Sequence, residues 1–246
     1  GCVSTRNSND IARLGSHVMK PAERGLIAIL MVNDAGLGPY VAPFGGTQPF
    51  LSTNPIAAGI PREAEDPIVI DISTSVAAAA KVRAAADRGK PVPEGWLISE
   101  NGSATTDAAS WVEKQSALLP LGGMIAGHKG FALALLVDIL AGALGGAGCA
   151  GWNPDVENYD PNAIFALVID PEKFSPLSEF TQSVEGLVQR IKTVKKAPGV
   201  EEILIPGERA ARERRRRKRE GISIDEVIWS KISDVLKELG IEEKYV

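Results

Sequence analysis

The chain has 246 residues, enough to bury one sizeable hydrophobic core. Its 44% hydrophobic and 24% charged residues are ordinary for a globular protein and exclude a disordered or collagen-like chain. The formal net charge of -4 gives no general attraction to nucleic acid. Two cysteines are too few for a disulfide framework, so we expect a protein of a reducing compartment, the cytoplasm.

The sequence predicts neither a membrane span nor a metal site. The longest apolar segment, 131–146, contains Asp138 and is shorter than the ~20 residues that a span requires. The two histidines and two cysteines show no metal-ligand spacing such as CxxC or HxxxH. We therefore expect no metal and no membrane partner.

Apolar residues recur with helix or strand periodicity along most of the chain. We expect one main domain over 1–246, with the helices of 176–246 packing back on it. The predicted elements are a helix over 10–24, a strand over 26–32, a strand over 68–72, a helix over 75–88, a buried helix over 131–144, a strand over 163–169, an amphipathic helix over 178–194, a short strand over 202–205 and a last helix between Ser223 and Gly240.

A polar cluster ends the predicted strand over 68–72, where Asp71 is followed by Ser73, Thr74 and Ser75. The hydroxyls could cap the helix predicted to begin near Ser75, which is the commoner role of such residues. Alternatively, the carboxylate accepts hydrogen bonds from ribose while the helix start binds phosphate. The residues alone leave both interpretations open.

A lysine stands at the predicted start of the buried helix, in the sequence His128-Lys129-Gly130. A cation at a helix N-terminus is unfavourable by ~0.3–1 kcal/mol against the helix dipole, so this lysine needs a reason. An anionic ligand would supply one, because free N–H groups and neighbouring glycines let a phosphate approach the backbone. The alternative is a solvated lysine in a glycine loop.

Two further patterns are rejected as functional motifs. Gly146–Gly151 matches GxGxxG, but a predicted helix precedes it where the dinucleotide fingerprint needs a strand, and Pro154 follows. Arg212–Arg219 is basic, but residues 201–246 carry 11 basic and 11 acidic side chains. The basic run contains no aromatic residue to stack on bases, so we expect no nucleic-acid partner.

Several polar clusters, taken in order along the chain, resemble the type-2 malate/L-lactate dehydrogenase family, which also includes sulfolactate and ureidoglycolate dehydrogenases. The resemblance implies an α+β fold with layers of helices and a mixed, largely antiparallel sheet, not the Rossmann fold. It also implies a homodimer. The matching clusters are Arg6–Asn9, Ala42–Gly46, Thr53–Pro55, Asp71–Ser75, Thr105–Asp107, Gly127–Gly130 and Pro206–Glu208.

The same resemblance implies a function, the NAD- or NADP-dependent interconversion of a small 2-oxo acid and its 2-hydroxy acid. It places Lys129 and His128 on the cofactor phosphates and residues 71–74 on the adenosine side, with residues 206–208 closing over the cofactor. The residues that it assigns to the cofactor are Thr53, Asn54, Asp71, Ile72, Ser73, Thr74, His128, Lys129, Gly130, Pro206, Gly207 and Glu208.

Two departures from the family pattern bear on catalysis. The family has a histidine after the Ser-Asn pair, as proton donor and acceptor at the substrate's C2 oxygen, and here that position is Asp10. Aspartate side chains ordinarily have a pKa of ~3.9, against ~6.5 for histidine, and are poorer acids at neutral pH. We also expect the family's N-terminal helical segment to be absent. The alternative function is a non-catalytic binding or scaffolding homologue that keeps the fold without turnover.

Overall fold

Two antiparallel sheets carry the first of two units into which the chain divides, Gly1–Gly207. The computed structural model describes residues 1–34, 38–64, 66–151, 162–224 and 226–241. The strands are β1 (Cys2–Ser8), β2 (Ile27–Asn33), β3 (Ile56–Ile60), β4 (Ile68–Ile72), β5 (Leu97–Ser99), β6 (Ala104–Thr105), β7 (Ser116–Leu118) and β8 (Asn162–Ile169). The large sheet has the order β1-β8-β2-β3-β4 and the small sheet the order β6-β5-β7.

Helices flank these sheets in the first unit and form the described part of the second, Glu208–Val246. The helices are α1 (Leu14–Ala22), α2 (Ala79–Asp87), α3 (Ala108–Val112), α4 (Gly123–Val137), α5 (Leu177–Lys192), α6 (Glu208–Glu220) and α7 (Glu226–Glu238). A π-helical turn, Asp138–Ala143, continues α4. The predicted combination of helices and antiparallel sheet in an α+β fold is therefore confirmed.

Direct contact between backbones packs α1 onto the large sheet. Leu14 and Val18 on α1 share a hydrophobic cluster with Ala57 in β3. Gly59 in β3 lies so close to the helix that a Cβ there would overlap the carbonyl oxygen of Val18. This close approach fixes the position of the segment that leads into α1.

Most elements with a strong local pattern match their predictions. The strand over 68–72 has its predicted bounds, and the helix over 10–24 appears as the shorter α1. The short strand predicted over 202–205 is wrong, because the segment has no regular structure. Ile205 is buried there, and the carbonyl of Pro206 accepts a hydrogen bond from the N–H of Val69 at 3.1 Å.

The helix predicted to begin at Ser75 begins at Ala79, and its N-cap residue Ala78 makes no side-chain cap. Ser75 forms an isolated antiparallel bridge with Pro120, which keeps the chain extended. The hydroxyls of Ser73 and Ser75 donate to carbonyl oxygens within this extended segment. The predicted cap is therefore wrong, because these hydroxyls have backbone acceptors outside any helix.

The helix around α4 is longer than predicted. Together α4 and the π-helical turn cover Gly123–Ala143, 21 residues that are long and apolar enough to cross a membrane by length and composition alone. The apolar segment predicted from the sequence, 131–146, is shorter than this helix, and residues 123–130 supply the additional length. A single such helix is weak evidence for a membrane protein, because helices in protein cores pass the same test.

The burial of α4 also differs from the prediction of an all-buried helix. Its inward face consists mainly of small residues, including Gly127, Gly130 and Ala134. Several large apolar side chains of α4 and the π-helical turn are exposed. Ile125 in α4 is 94% exposed, and Ile139 in the turn is 53% exposed. Apolarity on every face therefore did not mean burial on every face.

We expect Gly59→Ala to destabilise the protein by about 1–3 kcal/mol, because the new methyl group would push α1 off β3. Urea unfolding followed by circular dichroism measures this. Gly186→Ala in α5 is the matched control, since its Cβ would meet only the Arg190 guanidinium, at 3.3 Å. The control should hold or gain stability, by up to ~1 kcal/mol, through better helix propensity. Unchanged stability of Gly59→Ala would contradict the packing described here.

Candidate functional site

A cavity of about 230 Å³ lies where β2 ends beside the segments before α1 and before β3. It is smaller than the ~300–1,000 Å³ typical of pockets for drug-sized ligands, so it suits a small metabolite. The polar residues that line it are Asp10, Asn33, Asp34, Tyr40, Ser52, Thr53 and Asn162.

Asp10 is held in this cavity lining by a local turn. Its Oδ1 accepts a hydrogen bond from the N–H of Ala12 at 2.6 Å. Ala12 has a φ of 59°, in the left-handed region, so the chain turns sharply between Asp10 and α1. The structure thus places the predicted catalytic residue in the same cavity as Thr53, a predicted cofactor residue.

The charge of the cavity lining is negative. It includes the carboxylates of Asp10 and Asp34, and the described lining residues contain no lysine, arginine or histidine. Within the described part of the chain, no three His, Cys, Asp or Glu side chains are grouped to hold a metal ion. A substrate carboxylate would therefore need a cation from outside this described lining.

A buried carboxylate lies behind the cavity. Asp138 is 5% exposed and accepts hydrogen bonds from the Nδ2 groups of Asn33 and Asn54, each at 3.2 Å. It also accepts from the N–H of Ala150 at 2.9 Å. Sequence analysis missed Asp138 and Asn33 as site residues. The available signal was a charged residue inside an apolar helix, since such residues are rarely buried unless they are paired.

Hydrogen bonds connect the predicted cofactor segments to the cavity. Thr74 donates from both its N–H and its Oγ1 to the carbonyl of Thr53, each at 3.0 Å. The carbonyl of Thr74 accepts from the N–H of Leu121 at 2.8 Å. Gly130 packs against the backbone of Leu121 with no room for a Cβ. Thr53, Thr74 and α4 are therefore neighbours.

His128 and Lys129 follow a kink in α4. Ala126 has non-helical angles, φ -129° and ψ 17°, so the regular helix restarts just before these two residues. Both side chains are exposed, and the His128 ring contacts the Phe44 ring edge-on with centroids 5.6 Å apart. Gly127 is buried, and a Cβ there would lie 3.0 Å from Phe44 Cδ2. The expectation that the glycines here leave room for a ligand is wrong, because they serve close packing.

Asp71 lies in β4 and binds the start of α1. Its Oδ2 accepts a hydrogen bond from the N–H of Gly15 at 2.8 Å and lies 3.5 Å from Nε of Arg13. Neither Asp71 nor Lys129 belongs to the lining of the 230 Å³ cavity. The neighbouring Ile72 is 41% exposed.

The segment at the end of the first unit lies along β4. Gly207 has a φ of 100°, and a Cβ there would lie 2.9 Å from the N of Val69. Together with the hydrogen bond from Val69 to the Pro206 carbonyl, this contact places both predicted residues at the edge of the large sheet. Glu208 is the first residue of the second unit and begins α6.

The segment Gly146–Gly151 follows a helical turn, as predicted, and no strand leads into it. The carbonyl of Gly146 accepts from Arg6 Nη1 at 3.3 Å, and that of Gly148 from Asn33 Nδ2 at 3.2 Å. These contacts connect the glycines to β1 and β2. Pro154 lies outside the described residues.

This α+β arrangement is shared with dehydrogenases of known structure. Malate dehydrogenase from Pyrococcus horikoshii superposes with a TM-score of 0.83 and 34% identity, over 98% of this chain and 66% of that chain. The chain belongs to the malate/L-lactate dehydrogenase family, whose model matches residues 1–233. The resemblance inferred from the ordered polar clusters is therefore confirmed.

The relatives in sequence agree with this assignment. Malate dehydrogenase from Pyrococcus horikoshii is 37% identical over 249 residues, which cover 98% of this chain and 67% of the relative. L-sulfolactate dehydrogenase from Methanocaldococcus jannaschii is 34% identical over 254 residues, covering 100% of this chain and 69% of the relative. The chain spans about two thirds of the length of these relatives.

The reactivity of Cys149 tests whether its thiol is buried beside Asp138. Burial, followed by the nearby charge of Asp138, raises the pKa of the Cys149 thiol above its ordinary 9.0. Because the thiolate is the reactive form, alkylation of Cys149 by iodoacetamide should have a pH midpoint above 9.0 in a Cys2→Ser background. Cys149→Ser, which keeps the exposed Cys2, controls for the reagent. A midpoint below 9.0 would contradict the burial of this thiol beside Asp138.

Proposed function

We propose that this protein is an NAD(P)-dependent oxidoreductase that interconverts a small 2-oxo acid and its 2-hydroxy acid. One observation carries the proposal: Asp10 and Thr53 line one small cavity, and Thr74 is hydrogen-bonded to Thr53 beside α4. Family membership and relatives named malate and sulfolactate dehydrogenase support it. Malate, lactate or sulfolactate is the proposed type of 2-hydroxy acid.

The residues of the first unit fit a nicotinamide cofactor on chemical grounds. Lys129 and His128 are exposed where α4 restarts, and a positive charge at a helix start suits phosphate. When bound, the cofactor supplies the hydride. We propose that this antiparallel, non-Rossmann arrangement binds NAD or NADP. The other proposed cofactor residues of the first unit are Thr53, Asn54, Asp71, Ile72, Ser73, Thr74, Gly130, Pro206 and Gly207.

Reduction of a 2-oxo acid also requires a proton at the C2 oxygen, and we assign its donor as Asp10. The assignment rests on its place in the cavity lining and on the family's histidine at this position. An ionised carboxylate cannot donate a proton, so an aspartate serves this step best under acidic conditions. We therefore propose slow turnover at neutral pH.

Cofactor binding is tested by titrating the purified chain with NADH and with NADPH while nicotinamide fluorescence is followed. We expect saturable binding of at least one of them. Lys129→Gln should weaken it about 10-fold, equivalent to ~1.4 kcal/mol, through the loss of one charge contact to phosphate. Lys173→Gln, which removes a 78% exposed lysine paired with Asp170, should leave binding unchanged. Constant fluorescence with both cofactors would overturn the proposal.

The proton donor is tested with Asp10→His. At pH 7 this variant should reduce oxaloacetate, pyruvate or sulfopyruvate at least ~10-fold faster than the parent, because an imidazolium can supply the proton. Its rate should fall as pH rises through ~6.5, since the donor is the protonated form. Asp10→Asn, which keeps the shape but has no acidic proton to transfer, is the control. Equal rates for the histidine and asparagine variants would exclude proton transfer at this position.

A second candidate function is a non-catalytic binding or scaffolding homologue. The absence of a cation from the described cavity lining favours it, because 2-oxo acids are anions. This candidate predicts cofactor binding without turnover, even for Asp10→His. We also propose a cytoplasmic homodimer, in which a second copy would cover exposed apolar side chains of α4.

A further inference from the structure

The carboxylate of Asp138 joins segments that lie far apart in the sequence. Asp138 is 5% exposed and begins the π-helical turn after α4. A buried carboxylate is costly unless hydrogen bonds compensate for its lost hydration. Its side-chain donors, Asn33 and Asn54, are 105 and 84 residues away. Both belong to, or adjoin, the cavity lining.

Asn33 connects Asp138 to the cavity directly. It is the last residue of β2, is 1% exposed and lines the cavity. Its Nδ2 donates to Asp138 Oδ1 and to the Gly148 carbonyl, both at 3.2 Å. Its own Oδ1 is buried and has no hydrogen-bond partner among the described atoms. The carboxylate therefore determines which way this amide points.

Asn54 connects Asp138 to the segment that contains Thr53 and Pro55, both of which line the cavity. It is 0% exposed and has a φ of 35°, a conformation that residues other than glycine rarely adopt. Its Nδ2 donates to Asp138 Oδ1 at 3.2 Å and to the Ala134 carbonyl at 3.1 Å. Its Oδ1 is also buried, with no partner in the described ranges. These two hydrogen bonds hold the backbone next to Thr53, which lines the cavity.

We propose that Asp138 is a positioning residue, which holds Asn33 and the backbone of Thr53 in place through two oriented amides. Only an acceptor satisfies both Nδ2 groups at once. An alanine at this position would leave the Nδ2 groups of Asn33 and Asn54, which share Oδ1, and the N–H of Ala150, which faces Oδ2, without this acceptor. One amide would then rotate or one segment would move, and the cavity would change shape. The inference deepens the proposed function and rests on it.

The test compares Asp138→Ala with Val188→Ala in the full chain. Val188 is 1% exposed in α5, and no residue of α5 lines the cavity. Its truncation therefore lowers the melting temperature without changing a described residue of the cavity lining. Steady-state kinetics give kcat and KM for 2-oxo acid reduction. Hydrogen exchange measures residues 50–56, with α2 as the internal reference.

We expect Asp138→Ala to raise KM for the 2-oxo acid at least ~10-fold and to accelerate exchange over residues 50–56. Val188→Ala should keep KM within about twofold of the parent and leave that segment unchanged. A purely structural role of Asp138 predicts that both variants lose thermal stability while KM and exchange over 50–56 stay the same. That result would overturn the inference.

The experiment also gives a result if a variant does not fold or if the parent chain is inactive. If Asp138→Ala does not fold, Asn54→Ser replaces it, because serine is too short to reach both Asp138 and Ala134, and the same readouts apply. If the parent chain reduces no 2-oxo acid with either cofactor, the proposed function fails. The positioning role is then decided by exchange alone: faster exchange over 50–56 supports it, and unchanged exchange overturns it.

Discussion

The buried charge of Asp138 is the interaction on which the arrangement of the candidate site depends. A carboxylate in the interior is tolerated only where donors surround it, and its three donors come from three different segments. The large sheet, the segment before β3 and the segment after the π-helical turn must therefore meet at one point. Gly142 in the π-helical turn allows this approach, because a Cβ there would overlap the Gly148 carbonyl oxygen and Asn33 Nδ2. A large side chain there would keep the carboxylate away from its amides.

A second constraint comes from the extended chain between β4 and α2. Ser75 forms a bridge with Pro120, and Val76 donates to the carbonyl of Leu119 at 3.0 Å, just beyond β7. This segment therefore joins the large sheet to the small one, and Thr74 at its centre is hydrogen-bonded to Thr53. The large sheet contributes Val32, Asn33 and Asn162 to the cavity lining, and backbone pairing connects the small sheet to the segment beside that lining. The hydroxyls that suggest a helix cap in the sequence stabilise this connection instead.

Local sequence patterns predicted the helices and strands that are determined by neighbouring residues. The β-branched residues of β4 follow Pro67 and set its bounds, and α1 follows the spacing of Leu14, Val18 and Ala22. The start of α2 was mispredicted because the partner of Ser75 is Pro120, far along the chain. For the site, the family resemblance pointed to Asp10 and Thr53. Asp138 was missed because its amide partners lie 84 and 105 residues away in the sequence. Helix and strand periodicity relates only residues that are close in sequence.

The aspartate at position 10 changes the charge of the cavity as well as the acid available in it. Two unit charges ~5 Å apart at an effective dielectric constant of ~20 repel each other by about 3 kcal/mol. An ionised Asp10 would oppose a substrate carboxylate by an amount of that order. A neutral histidine would bring no such repulsion, and an imidazolium would attract the substrate. In the proposed reaction, weak proton donation and weak affinity for 2-oxo acids would therefore share one cause, the carboxylate at position 10.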